Sequence, residues 1–260
     1  KNLMASAKNI STTLNLNKND KCLNIMPMFH IHGLIAAILA PIYKSGSIIT
    51  PPGFDALKFF RWMEEYKPTW YTAVPTMHQT ILSRAPRNAD IIQSNPLKFI
   101  RSSSASLPSI VMENLEKVFN TCVIESYGMT EAAHQMTSNP LPPKKRKSGS
   151  VGLAAGPDVA LLYKNKIINN DKNNRNITGH IIIKGENVTN GYINNPKANA
   201  ESFINGWFLT GDEGMFDDDG YLKSTGRLKE IIIKGGENIA PREIDEALYQ
   251  HSAVLEAAAF

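Results

Sequence analysis

Within five residues the segment Tyr127-Gly128-Met129-Thr130-Glu131 brings together an aromatic ring, a hydroxyl and a carboxylate. Such a set can stack a flat heterocycle, hydrogen-bond a phosphate and hold Mg2+, which takes one or two carboxylates alongside phosphate oxygens. Upstream, Ser102-Ser103-Ser104-Ala105-Ser106-Leu107 is a run of small side chains that lets a flat ligand come close to the backbone. Each piece also has a plainer reading: Tyr127 as core packing, Glu131 as an acid at a helix N-terminus, and the serines as turn formers.

Chemistry of this kind needs a rigid frame. Leu23–Met28, Ser47–Thr50, Thr69–Ala73, Lys98–Ser102 and Thr121–Ser126 are short, apolar or β-branched, and bounded by Pro, Gly or Ser, as strands are. Between them run stretches with helical spacing. One opens at Asp55 and carries Leu57, Phe60, Trp62 and Met63; another opens at Pro75; and Leu107-Pro108-Ser109 leads into Ile110–Phe119. The alternation predicts an α/β fold, a mainly parallel sheet with helices on its faces. It puts the serine run and the Tyr127 segment at the carboxyl ends of strands, where open α/β sheets bind ligands. Lys1–Leu14 reads as a further helix. After about Gly149 the texture becomes glycine-rich and strand-dominated, with strands expected at Val159–Tyr163, Gly179–Lys184, Tyr221–Ser224 and Glu230–Lys234. Asp217-Asp218-Asp219-Gly220 reads as a hairpin turn. Pro241–His251 has helical character, and Ala253–Phe260 reads as a β-like run.

Composition narrows the function classes. The chain has 260 residues, 42% of them apolar and 20% charged, enough to bury a sizeable core and too apolar for wholesale disorder. Its most apolar stretch, Gly33–Tyr43, is about half the ~20 residues of a membrane span and contains Pro41, so no membrane span is expected. Lys1–Asn19 lacks the basic head and apolar run of a secretory signal. Cys22 and Cys122 fit a reducing compartment, and no Cys/His cluster has zinc spacing. A net charge of +4 is modest, and the basic run Lys144-Lys145-Arg146-Lys147 is read as a solvated loop in a Pro-rich stretch, with a localisation or nucleic-acid patch as the alternative. No nucleic-acid partner is expected.

Tyr127-Gly128-Met129-Thr130-Glu131 resembles a motif of the adenylate-forming enzymes, the superfamily of acyl-CoA synthetases, luciferases and nonribosomal adenylation domains. Further similar segments follow in order along the chain: Pro27-Met28-Phe29-His30-Ile31-His32-Gly33; Gly185 to Tyr192 (GENVTNGY); Gly206 to Asp212 (GWFLTGD); and Gly226-Arg227-Leu228-Lys229-Glu230 running into Lys234-Gly235-Gly236-Glu237-Asn238-Ile239. The resemblance implies the large N-terminal domain of that fold, with an α/β part over 1–150 and a β-rich subdomain over 151–226, then a hinge and the truncated start of a small α+β C-terminal domain over 227–260. It implies a two-step reaction in which a carboxylate attacks ATP to give an acyl adenylate, and the thiol of CoA then displaces AMP. Ser104, Ala105 and Ser106 would line one side of the adenine, with Tyr127 and Gly128 on the other. Thr130 would contact the phosphate, Glu131 would ligate Mg2+, Asp212 would accept from the ribose hydroxyls, and Arg227 would bind the ribose or phosphate. Lys229 matches the hinge about which the small domain swings, and Gly235 and Gly236 would line the pantetheine tunnel, where a missing Cβ permits close approach. Partners are thus the small molecules ATP, a carboxylic acid and CoA. Members of this superfamily with such substrates imply a cytoplasmic or peroxisomal location.

His30 matches the aromatic gate position of the superfamily. With His134 and the serine run it makes the acid side of the pocket polar, where fatty-acid and aryl ligases carry small apolar residues. A buried second carboxylate needs donors to offset its desolvation, so these groups suit a small doubly charged acid. The string from Tyr127 to Pro143, with Arg101 to Leu107 upstream, resembles the oxalyl-CoA synthetases of fungi and plants, in which the positions of His30, Ser104 and His134 are expected to contact oxalate. An aryl or medium-chain acyl-CoA ligase and a non-catalytic nucleotide- or RNA-binding module are the alternatives. His32 is read as structural. The phosphate loop that precedes a segment like Lys1–Leu14 in the family, and the later adenylation lysine, are absent from these residues, so the chain reads as a fragment. By itself it is expected to form acyl adenylate far more slowly than a full-length enzyme, which a single-turnover assay checks.

Overall fold

The computed structural model describes residues 1–228, 230, 232–234, 237–239, 241–251, 253–254 and 257–259. Five short strands pair in parallel: β1 (Lys21–Asn24), β2 (Ser47–Ile49), β3 (Trp70–Ala73), β4 (Phe99–Ser102) and β5 (Val123–Met129), in the order β2-β1-β3-β4-β5. The expected α/β architecture is present. Both faces of a parallel sheet are covered, so alternate residues of each strand pack in opposite directions. Leu23, Tyr71, Ile100 and Val123 meet Phe59 and Met63 of the helix Phe59–Tyr66, Ile81 of Pro75–Arg84 and Leu115 of Ser109–Phe119. On the other face Cys22, Trp70, Phe99 and Ile124 meet Ile10 of the helix Asn2–Thr13 and the segment Ile35–Ala40. Each such side chain contributes roughly 1.5–3 kcal/mol by leaving water.

The apolar run after Gly33 owes its composition to this second face. It forms a π-helical segment, His32–Leu39, continued by the short helix Ala40–Tyr43, and its small residues lie against the sheet. π-helical turns are rare and concentrate at functional sites. His32 is the first residue of this one.

β5 runs on past the parallel ladder and pairs antiparallel with β6 (His134–Ser138), which pairs with β7 (Leu153–Ala154). The register shifts between Tyr127 and Gly128, and a Cβ at Gly128 would overlap the carbonyl oxygen of His134. Glycine therefore permits the close crossing that brings His134 to β5. A second sheet contains β8 (Asp158–Tyr163), β9 (Lys166–Asn169), β10 (Thr178–Lys184), β11 (Phe203–Ile204), β12 (Trp207–Phe216) and β13 (Leu222–Arg227). The turn at Asp217–Gly220 joins β12 to β13, closed by Gly220 N–H donating to Asp217 O at 2.8 Å.

Sequence reasoning found β8, β10 and β13 but not β6 or β12. In β12 Gly211 and Gly214 interrupt the apolar pattern, although every second residue of the strand is buried. β6 reads His-Gln-Met-Thr-Ser, which has no strand composition, yet all five residues are buried. The expected strand at Glu230–Lys234 is β14 (Ile232–Lys234), which pairs antiparallel with β15 (Glu237–Ile239), a strand sequence reasoning did not find; the expected helix follows at Pro241–Tyr249. The β-like reading of Ala253–Phe260 is corrected: the described residues of that stretch form no strand. In the basic run, Arg146 pairs with Glu116 at 2.9 Å and Lys147 with Asp217 and Asp219 at 2.6 Å, so two of its four cations tie a loop to its surroundings. Among the described residues no helix is long and apolar enough to cross a membrane.

Gly128→Ala is expected to lower unfolding stability by about 2 kcal/mol or more, through the forced separation of β5 from His134. Gly53→Ala, where a Cβ meets nothing within 4 Å, should stay within about 0.5 kcal/mol of the parent in the same denaturant titration.

Candidate functional site

At the carboxyl end of the parallel sheet a cavity of about 340 Å³ is lined by Ser104, Ala105, Ser106, Tyr127, Asp212 and Arg227, among others. Two buried anchors shape its first wall. Ser103 Oγ donates to the Ser126 carbonyl at 2.8 Å, and the Leu107 N–H donates to Glu125 Oε1 at 3.0 Å. The loop between these anchors is exposed, with Ser104 in the left-handed region at φ 75°. A non-glycine residue there costs energy and persists only where its surroundings impose it.

The opposite wall is built by strand register. Asp212 on β12 faces Arg227 on β13, with Arg227 Nε 3.4 Å from Asp212 Oδ1. Tyr127 donates a short hydrogen bond from its hydroxyl to Asp212 Oδ2. Burial pushes the Asp212 carboxyl above the usual carboxylate range, while the Tyr127 bond and the Arg227 charge hold that rise in check. The Tyr127 phenol is pushed well up by burial and by the adjacent carboxylate. An aromatic face, an accepting carboxylate and a guanidinium around an open cavity fit a nucleoside with a phosphate.

Thr130 is exposed beside this cavity, and Glu131 is half-buried. The Gly185–Tyr192 segment, remote in sequence, closes on them. Tyr192 donates from its hydroxyl to Glu131 Oε1 at 2.9 Å, and Thr189 N–H donates to the Glu131 carbonyl at 2.7 Å. Buried Asn187 donates from Nδ2 to the carbonyls of Ala132 and Gln135 at 2.8 and 3.0 Å. These bonds brace a turn in which Ala133 and His134 have φ of 49° and 100°. Among the described residues no group of three or more His, Cys, Asp or Glu could hold a metal by itself. A single carboxylate at Glu131 fits a Mg2+ ion that brings phosphate and water as its other ligands.

A polar cluster lies next to Ser104. His32 Nδ1 is 3.0 Å from Ser104 Oγ, and its Nε2 is 2.5 Å from Thr72 Oγ1. Its ring stacks on that of His134, with centroids 5.1 Å apart. Arg101 is fully buried beneath both, Nη1 3.3 Å from His32 Nε2 and Nη2 3.4 Å from Gln135 Oε1, and its Nε has no hydrogen-bond partner among the described residues. His134 Nε2 is likewise buried without one. Burial, the neighbouring imidazole and Arg101 hold His32 well below the usual histidine range. Burial and then Arg101 do the same to His134. Arg101 itself is lowered by burial to about 9, so at neutral pH it stays charged.

Of the residues expected from sequence, Ser104, Ala105, Ser106, Tyr127, Gly128, Asp212 and Arg227 line one cavity. His134 meets Ser104 through His32. His30 is exposed, and its Nδ1 accepts from the His32 backbone N–H at 3.2 Å. Lys229, Gly235 and Gly236 lie outside the described residues. His32, read from sequence as structural, is the residue that joins Ser104 to His134. Arg101 and Asn187 were missed; the available signal for Arg101 was a charge inside a strand that must be buried on both faces.

Residues 1–193 match the family described as AMP-binding enzyme. The chain is 44% identical over its whole length to an oxalate–CoA ligase of Arabidopsis thaliana, covering 50% of that protein. It is 40% identical to a sulfoacetate–CoA ligase of Cupriavidus necator, again over all of this chain and 50% of the relative. The structure superposes on ATP-bound MatB from Rhodopseudomonas palustris with a TM-score of 0.88 at 30% identity, over 99% of this chain and 50% of that one. The chain thus spans about half the length of the proteins it matches.

In Tyr127→Phe the Asp212 carboxyl loses the hydrogen bond that opposes the effect of burial, so its pKa should rise further. A carboxyl raised in the folded state makes stability fall as pH climbs through its unfolded and then its folded value. The variant should extend that fall to higher pH, as carboxyl-carbon NMR and denaturation at several pH values would read.

Proposed function

Because the chain belongs to the AMP-binding enzyme family, we propose that it forms the nucleotide- and acid-binding core of an ATP-dependent acid–thiol ligase whose acid is small and doubly charged, with oxalate favoured. The observation that carries the substrate class is the polar cluster at Ser104. A hydroxyl and two neutral imidazoles are backed by a buried guanidinium, and no carboxylate pairs with that guanidinium among the described residues. An apolar acyl chain would gain nothing from these groups, whereas a second carboxylate needs donors and positive potential to leave water. Similarity to ligases named for oxalate and for sulfoacetate, both short acids with two anionic groups, supports the same class.

In this reading the acid's carboxylate attacks the α-phosphorus of ATP, releasing pyrophosphate, and the thiol of CoA then displaces AMP. Ser104, Ala105 and Ser106 hold one face of the adenine while Tyr127 and Gly128 hold the other. Asp212 accepts from the ribose hydroxyls, with Tyr127 and Arg227 opposing the rise that burial gives its carboxyl. Arg227 and Thr130 bind on the phosphate side. Mg2+ at Glu131 would offset phosphate charge. Ser104, His134 and His30 face the acid, with Lys229 as hinge and Gly235 and Gly236 beside the CoA arm. Residues 1–150 and 151–226 serve as the two parts of the nucleotide-binding domain, and 227–260 as the start of the mobile one.

Hydroxamate trapping of the adenylate in the full-length protein tests the reading. Oxalate or sulfoacetate should give signal where octanoate and coumarate do not, and His134→Ala should raise KM for oxalate about 10- to 100-fold with a smaller change for ATP. Signal with octanoate and none with oxalate would assign the chain to the aryl or medium-chain ligases instead.

A further inference from the structure

We propose that Arg101 and His32 form a positioning pair that sets the direction of the Ser104 hydroxyl, making it a hydrogen-bond donor to the acid substrate's carboxylate. The inference deepens the substrate reading above and rests on it for the identity of the acceptor.

The geometry fixes the proton positions in turn. A guanidinium carries donors only and has no lone pair to offer. Arg101 Nη1 lies 3.3 Å from His32 Nε2, so that nitrogen must be the unprotonated one. The Thr72 hydroxyl, 2.5 Å from the same nitrogen, is then a second donor to it. A neutral imidazole keeps one N–H, which is therefore on Nδ1, 3.0 Å from Ser104 Oγ. Ser104 accepts that bond, which leaves its own O–H proton for another acceptor. Among the described residues the structure provides no such acceptor, and Ser104 is exposed at the cavity wall, held at φ 75°. A carboxylate arriving there meets a donor whose orientation is already set, so little ordering remains to be done on binding.

Arg101 also enforces the neutral state on which this depends. The groups that face His32 are Arg101 on β4, Thr72 on β3, His134 stacked from β6, His30 from its own loop, Ser104 and the more distant His78. None of them is an anion. An imidazolium here would sit against a buried cation with nothing to offset either. If His32 carried its proton on Nε2 instead, the Arg101 donor would face an N–H, and Ser104 would have to spend its proton on Nδ1. The hydroxyl would then present only lone pairs to the cavity and repel a carboxylate.

Long-range 1H–15N NMR on ring-15N-histidine protein reads the tautomer directly. His32 should show Nδ1–H with an unprotonated Nε2 between pH 6 and 8, and a wild-type His32 protonated on Nε2, or on both nitrogens at pH 7, overturns the proposal. In the full-length protein Arg101→Gln should raise KM for oxalate about tenfold or more with under a twofold change in KM for ATP, and Arg101→Lys, which keeps charge and donor, should recover most of it. Should the buried substitutions prevent folding, Thr72→Val removes one Nε2 donor with little change of volume, and the wild-type tautomer remains decisive. A Nδ1–H His32 in a protein that uses octanoate and not oxalate sinks the substrate reading while the relay stands. Use of oxalate by a protein whose His32 is Nε2–H sinks the relay alone.

Discussion

A guanidinium buried with no carboxylate paired to it among the described residues must be satisfied by neutral acceptors, and the arrangement around Arg101 answers that requirement. Desolvating a charge costs several kcal/mol even after relaxation. Arg101 recovers part of this from His32 Nε2 and Gln135 Oε1, and Gln135 in turn donates to Thr13 and to the Ala155 carbonyl. The cation thus links the N-terminal helix, the π-helical turn, β4 and β6 at one point. It also opposes a second proton on either imidazole. A cluster of two histidines and an arginine, which by residue type could carry three charges, carries one.

The same point explains why the chain leaves its parallel sheet there. β5 could have ended with the other strands at the ligand-binding edge. Instead Gly128 lets the His134 carbonyl pass so close that no side chain would fit, and β6 turns back antiparallel. The crossing places Tyr127 in the cavity wall and His134 against His32, on either side of one short segment. Its backbone lies at positive φ at Ala133 and His134, and the cost is offset by bonds from Asn187, Thr189 and Tyr192. The Gly185–Tyr192 run, in the second sheet's neighbourhood, is therefore a brace for the first sheet's turn.

Where apolar spacing carried the information, the fold was legible from residues alone. The alternation of short strands with helices located the parallel sheet because each strand had to be apolar on both faces and each helix on one. The cavity wall was legible too, since Tyr127, Asp212 and Arg227 stand in short segments of distinctive type. β6 and β12 escaped because their burial is imposed by neighbours: a Thr or a Gln is a plausible buried strand residue only when a partner strand supplies its hydrogen bonds.

Residue types and order determined the fold class, the family resemblance and most of the groups that line the cavity, since these follow from local pattern and short-range spacing. Tertiary structure alone decided which histidine is exposed and which is buried. His30 and His32 are two residues apart and chemically identical; only the turn that exposes the first and buries the second between Thr72, Ser104 and His134 separates them. The surroundings of Arg101 were decided in the same way. A charge acquires meaning from what surrounds it, and its surroundings here come from β3, β6 and a π-helical turn, between 29 and 69 positions away in the chain for Thr72 and His32 at the outer limits.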